Sequence, residues 1–210
     1  FRLYNHGNSY QIAGEGVNGI TEGGAWVTPF ILSEANPAAM FVGYSNVWYC
    51  GNVKAGTIQW KKISEGQSAQ VNVLEQSPAH PDILYAARGN SLVRTDNAFG
   101  NPVEWISLDN FLPNSSSISD IEAHPSDTDV AYMTQGNHAY RSSDRGLTWE
   151  DITGSLPNIY FSGITYYRNS MDGLYLGTDA GIYYRDLSMT DWVQYSGGFP
   201  TAGRVTETNV

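Results

Sequence analysis

The sequence is short of the residues on which chemistry is most often built. A single cysteine, Cys50, stands among 210 residues, which excludes an intrachain disulfide and any cysteine-based metal site. A small apolar residue closing a strand accounts for it, and the redox compartment stays open. Basic residues are scarce as well, 11 Lys and Arg against 21 Asp and Glu, for a formal net charge of −10. Phosphate binding needs a basic face, so nucleic acid is excluded as a partner and an anionic membrane surface is disfavoured. No apolar run approaches the roughly 18 residues of a membrane span, and nothing near Phe1 resembles a signal peptide. There is no phosphate-cradling loop, nucleophile elbow, dinucleotide motif or EF-hand pattern. What is plentiful is aromatic residues, at 13%, and glycine, at 22 residues, with 41% hydrophobic content. That balance predicts many short strands joined by tight turns around a real core.

One octet organises the chain: Ser142 to Trp149, SSDRGLTW. Asp144 closes an Asx-type turn by accepting backbone amides just ahead of it, and Gly146 supplies a positive φ. Thr148 suits the strand that follows, and Trp149 offers a large ring for burial with one indole donor to satisfy. Ser142 opens the turn. The pattern returns in worn form: Trp60, Trp105, Trp149 and Trp192 are 45, 44 and 43 residues apart, with an earlier copy of Asn5, Gly7 and Ser9 ending at Tyr10. Around Trp105 the turn carries Asp96 and Gly100; around Trp192 the glycine is gone.

A second mark falls between the tryptophans. Asn36-Pro37, His80-Pro81 and His124-Pro125 are spaced 44 and 44 residues apart, and each precedes a short strand. Pro beside Asn, Asp or Ser fixes a turn rather than a helix. A repeat of about 44 residues holding several short strands predicts an all-β fold, a β-propeller of four-stranded antiparallel blades. The expected blades are 1–12 (partial), 25–63, 69–107, 117–153, 160–195 and 203–210 (partial). Four full blades between two partial ones would leave apolar surface at both ends. Either the partial blades complete one another or the natural polypeptide is longer, and the longer polypeptide is favoured. The acidic balance and a first residue other than methionine suit a mature secreted protein or an excised fragment.

The octet is similar to an Asp-box, and the whole chain resembles the BNR-repeat propellers, a superfamily that includes sialidases, xyloglucanase-type glycoside hydrolases and sortilin-like receptors. The nearest likeness is to large secreted bacterial proteins, sortilin-like or glycosyl-hydrolase-like, in which runs such as GLYLGTDAGIYYRD recur. The resemblance implies a secreted or cell-surface location. It does not carry catalytic residues across. Arg94, Arg141 and Arg185 each precede a hairpin turn at the rim, so they are repeat structure rather than a sialidase's arginine triad. Asp179 sits in a context similar to a xyloglucanase-type catalytic aspartate, but no second carboxylate has a motif to recommend it.

In such a blade the loops between the second and third strands vary most and share one face. Tyr44, Asn46, Arg88, Asn90, Gln135, His138 and Asp179 fall in these loops and are the candidate ligand-binding residues. Tyr44 would stack on a sugar, and the polar residues would hydrogen-bond it. Glu15 and Glu22 lie in a glycine-rich connection on the same face. His80 and His124 repeat an architectural position, so no metal and no cofactor are expected; the run Asp120, Glu122, Asp127 and Asp129 reads as a solvated acidic edge. The expected role is a non-catalytic binding or scaffold module taking a glycan or protein segment. The alternatives are a glycoside hydrolase completed by further sequence and an assembly or sorting factor.

Overall fold

Short runs rich in β-branched and aromatic residues, broken by Gly, Asn and Asp, fold as strands whose alternate side chains can be buried on either face. A computed structural model describes residues 2–5, 8–65 and 69–195 of the chain. A hairpin of β1 (Arg2–Asn5) and β2 (Asn8–Gln11) comes first. Four sheets follow, each a four-stranded antiparallel meander. They are β3 (Phe30–Ser33), β4 (Asn36–Gly43), β5 (Val47–Cys50) and β6 (Lys61–Lys62); β7 (Val73–Gln76), β8 (Leu84–Arg88), β9 (Ser91–Thr95) and β10 (Ile106–Ser107); β11 (Ile118–Ala123), β12 (Ala131–Gln135), β13 (His138–Ser142) and β14 (Glu150–Asp151); and β15 (Phe161–Tyr167), β16 (Gly173–Thr178), β17 (Gly181–Arg185) and β18 (Val193–Gln194). The segment 203–210, expected to open another blade, lies outside the described residues.

The described residues fall into two compact units, one drawn from Phe1–Gln76, His80–Arg88 and Val93–Ser107, the other from Ser77–Ala79, Gly89–Leu92 and Leu108–Val210. In the first, Phe41 and Val47 of one sheet pack on Leu84, Ala86 and Val93 of the next, while Met40, Val42 and Trp48 on the other face meet Ile12 and Ile20. In the second, Tyr132 and Ala139 pack on Leu174, Leu176 and Trp192. The period of two along each strand thus feeds both faces of every sheet.

The octet is a closed hydrogen-bonded knot. Ser142 Oγ accepts the Gly146 amide and donates to Asp144 Oδ1, both at 2.8 Å. Asp144 reaches farther than the one or two residues expected: it accepts the Thr148 amide at 2.8 Å and the Thr148 hydroxyl at 2.7 Å. Gly146 has φ +90°, and a Cβ there would stand 2.9 Å from Leu108 Cδ1. In the copy before Trp105 the central residue is Asn97, not Asp96. Asn97 Oδ1 accepts the Glu104 amide at 2.9 Å and the Thr95 hydroxyl at 2.8 Å, while Asp96 is taken up by Arg94 at 2.8 Å.

The tryptophans then tie each unit of the repeat to the one before it. Indole N–H groups of Trp60, Trp105 and Trp192 donate to the carbonyls of Ile12, Ile63 and Ile152, each at 2.7 Å. Trp149 is the exception. Leu108 is the residue that stands where Ile63 and Ile152 stand, and its carbonyl accepts the Phe111 amide at 2.9 Å in the 3-10 turn Asp109–Phe111. The half-buried Trp149 indole N–H has no acceptor among the described residues.

A further correction concerns the acidic run. Asp120 Oδ2 accepts the Ile164 amide at 2.9 Å and Glu122 Oε1 the Tyr166 amide at 3.2 Å. These two half-buried carboxylates satisfy the free edge of β15, whereas Asp127 and Asp129 are exposed as expected. His124 is buried, and its Nδ1 accepts the amides of Ser126 and Asp127, at 3.2 and 2.9 Å. That leaves Nε2 to carry the proton, 3.2 Å from Asp172 Oδ1.

Candidate functional site

The connection from β2 to β3, residues 12–29, is a loop too long for a simple turn, and it folds on itself because glycine and asparagine permit positive φ. Asn18 and Gly19 have φ +51° and +97°, and the Asn18 side chain donates to the Ile12 carbonyl at 3.1 Å. Ile12 and Ile20 bury themselves beneath it. Farther along, Glu22 turns inward and becomes a hub. Its carboxylate accepts the Asn46 amide at 2.9 Å, the Asn46 side chain at 2.7 Å and the Trp48 indole at 3.2 Å. Burial pushes its carboxyl up, but the donors Asn46 and Trp48, with Lys62, outweigh that and hold it below the ordinary value. Glu22 is therefore ionised at neutral pH.

This hub fixes the turn from β4 to β5. Asn46 Oδ1 accepts the Ser64 hydroxyl at 3.2 Å, and Ser64 Oγ accepts the Val47 amide at 2.9 Å. The Ser45 carbonyl accepts Arg88 Nε at 3.3 Å. Gln70 donates to the Gly23 carbonyl at 3.1 Å, closing the loop onto the same turn.

Beside that turn lies a pocket of about 360 Å³ lined by Gln11, Ala13, Glu15, Trp26, Thr28 and Tyr44, together with glycines of the loop. Gly24 lets the backbone pass close to the Tyr44 ring, since a Cβ there would lie 3.1 Å from it and 2.5 Å from Thr28 Oγ1. Trp26 stands at the rim with its side chain fully exposed, at 102%. An indole held in water has no packing reason to be there. An aromatic plate beside carboxylate, amide and hydroxyl groups can stack on the apolar face of a ring while those groups hydrogen-bond its edge.

The seven residues expected to form one exposed ring divide between the two units. Tyr44, Asn46 and Arg88 belong to the first, and each is buried, at 4, 6 and 4%. Tyr44 is a pocket wall rather than a stacking platform, and burial pushes its phenol up. Arg88 belongs to β8 and lines a second pocket, of about 240 Å³, with Ser64, Glu65 and Trp105. Asn90, Gln135, His138 and Asp179 belong to the second unit. Gln135 is wholly buried and donates to the carbonyls of Asn114 and Ser116, at 3.0 and 2.9 Å, so it braces a connection. His138 Nδ1 is 3.0 Å from Asp151 Oδ2, and its ring stacks on Tyr140. Only Asn90 and Asp179 are exposed turn residues. The exposure expected of Arg88 and Gln135 fails because they are the last residues of β8 and β12, whereas Tyr44 and Asn46 do lie in the turn 44–46 but are covered by the long β2–β3 connection. Trp26 was missed because it stands 34 residues before Trp60 and so off the repeat; that offset was the available signal.

Among the described residues no three His, Cys, Asp or Glu side chains gather as a metal would need, and no helix is long and apolar enough to cross a membrane. No protein-family model matches the chain, and no curated protein matches it in sequence. Solved structures do resemble it. An ancestral GH74 enzyme matches with a TM-score of 0.66 and 18% identity, over 84% of this chain and 26% of that one. The GH74 xyloglucanase from Xanthomonas campestris matches with a TM-score of 0.64 and 15% identity, over 84% of this chain and 31% of that one. A catalytically inactive virginiamycin B lyase from Staphylococcus aureus, in complex with quinupristin, matches with a TM-score of 0.60 and 16% identity, over 82% of this chain and 56% of that one. The chain thus spans about a quarter to a third of the two GH74 enzymes. At such identities the likeness speaks for architecture, and with the four meander sheets it establishes the fold as all-β, made of β-propeller blades.

Proposed function

We propose that this chain is an Asp-box propeller segment of a secreted or cell-surface bacterial protein, and that it acts as a non-catalytic module binding a glycan. The observation that carries the reading is the exposed Trp26 indole at the rim of the pocket walled by Glu15, Gln11, Thr28 and Tyr44. Sugars offer a ring face of C–H groups and a rim of hydroxyls, which is the complement of that surface. The GH74 names of the structural neighbours support a carbohydrate ligand over a protein one. The test is binding of a polysaccharide panel to the chain and to Trp26→Ala, read by affinity electrophoresis. Retardation by at least one neutral polysaccharide that disappears in the variant is expected; equal retardation of both would remove the site.

The same neighbours favour one second reading, a glycoside hydrolase whose active site is completed by sequence beyond this chain. Two carboxylates roughly 5 to 9.5 Å apart would be needed. Glu22 is already occupied by three donors, and Asp179 is exposed in the other unit. Release of reducing ends from xyloglucan by a longer polypeptide that contains this chain, lost on Asp179→Ala, would favour the hydrolase and overturn the non-catalytic role.

A further inference from the structure

Resting on the glycan-binding reading, we propose that the Trp26 pocket is selective for uncharged glycan chains and rejects those bearing carboxylates, with Glu15 as the discriminating group. Among the described residues that line the pocket, Glu15 carries the only ionisable acid or base besides the Tyr44 phenol, and no Lys or Arg stands with it. Lys61 and Lys62 do not line the pocket and have other partners: Lys62 Nζ is 2.8 Å from Glu65 and Lys61 Nζ donates to Asn101 at 3.0 Å. The Glu15 side chain is exposed at this pocket, where a ligand can reach it. Its Oε2 lies 3.4 Å from where a Cβ on Gly23 would stand, so the carboxylate lies beside the glycine-rich loop backbone.

Two consequences follow for a bound sugar. A hydroxyl pair on an uncharged ring donates to the Glu15 carboxylate while the ring face covers Trp26, a charge-assisted contact that strengthens binding. A uronic acid in the same pose brings a second anion within a few ångströms of the first. Repulsion at that range in a solvent-exposed pocket weakens binding on the order of tenfold. The net charge of −10 adds a background of the same sign. Salt screens both effects, so discrimination is greatest at low ionic strength.

The experiment uses matched pairs that differ only in charge: β-1,4-glucan, β-1,4-galactan and β-1,4-mannan oligosaccharides, each beside its C6-oxidised uronate form. Binding is measured by calorimetry on the 210-residue chain, on Glu15→Gln and on Trp26→Ala, at low and high salt. Selectivity is upheld if a neutral member binds about tenfold more tightly than its oxidised partner and if Glu15→Gln narrows that gap, as added salt does for the parent chain. It is overturned, with glycan binding itself left standing, if the oxidised partner binds equally well or if Glu15→Gln leaves the gap unchanged. Failure of every member to bind, or binding undiminished by Trp26→Ala, overturns the glycan site and the selectivity with it.

Discussion

The Trp192 indole N–H donates to the Ile152 carbonyl at 2.7 Å, and Arg185 both donates to that carbonyl at 3.2 Å and lies 5.8 Å from the centre of the indole ring. Trp192 is 6% exposed. Trp149 occupies the same place in the preceding repeat, yet its indole donor is buried without an acceptor among the described residues. Replacing each by phenylalanine separates the hydrogen bond from the packing. Trp192→Phe is expected to cost about 1 kcal/mol more than Trp149→Phe, the net worth of a buried hydrogen bond. Equal shifts in the urea midpoint would show that the indole donors contribute nothing.

Asp144 provides an acid-sensitive lock. Burial raises its carboxyl, but the Thr148 and Ser142 hydrogen bonds outweigh burial and hold it below the ordinary value. A group depressed on folding contributes stability that is full above the unfolded value, about 3.9, and is lost as pH falls through the folded value. Asp144→Asn should therefore lose stability at neutral pH and show a smaller further loss than the parent below about pH 4. Parallel melting curves from pH 7 to pH 2.5 would contradict the lock.

Gly146→Ala is expected to cost about 1 to 3 kcal/mol, because the left-handed backbone disfavours a side chain and the new Cβ would press on Leu108 Cδ1 at 2.9 Å. Denaturation in urea measures it. A neutral result would mean that the octet relaxes freely.

Two residues once expected to be alike should part company. Arg88 is 4% exposed with Nε on the Ser45 carbonyl, and Asp179 is an exposed turn residue. Arg88→Ala is expected to destabilise by about 1 to 3 kcal/mol, and Asp179→Ala to stay within about 0.5 kcal/mol. Thermal melts of both variants decide the matter, and equal shifts would sink the distinction.

The architecture was legible because the features that build it are local and repeat. A turn residue, a glycine and a tryptophan recur at spacings of 43 to 45 residues, and each needs only its own hairpin to make sense. The site was less legible because its geometry is made by partners far away in the chain. Asn46 reads as an exposed turn residue until Glu22, 24 residues earlier, is seen to hold it. Gln135 reads likewise until Asn114 and Ser116 come to meet it. Asp96 and Asn97 are adjacent and chemically similar, so only the hydrogen bonds distinguish which one closes the turn. Trp26 carried a signal in being out of step, and a reading tuned to regularity passes over what is irregular.

The direction of the tryptophan contacts bears on how the chain is made. Each acceptor precedes its donor, by 48, 42 and 40 residues for Trp60, Trp105 and Trp192. During synthesis at roughly 5 to 20 residues per second, a hairpin leaving the ribosome finds its anchoring carbonyl already in place, and nothing it needs for that contact is still to be translated. Assembly can then advance as a front moving from earlier repeats toward later ones, with three of the four repeat tryptophans docking on backbone completed seconds before them.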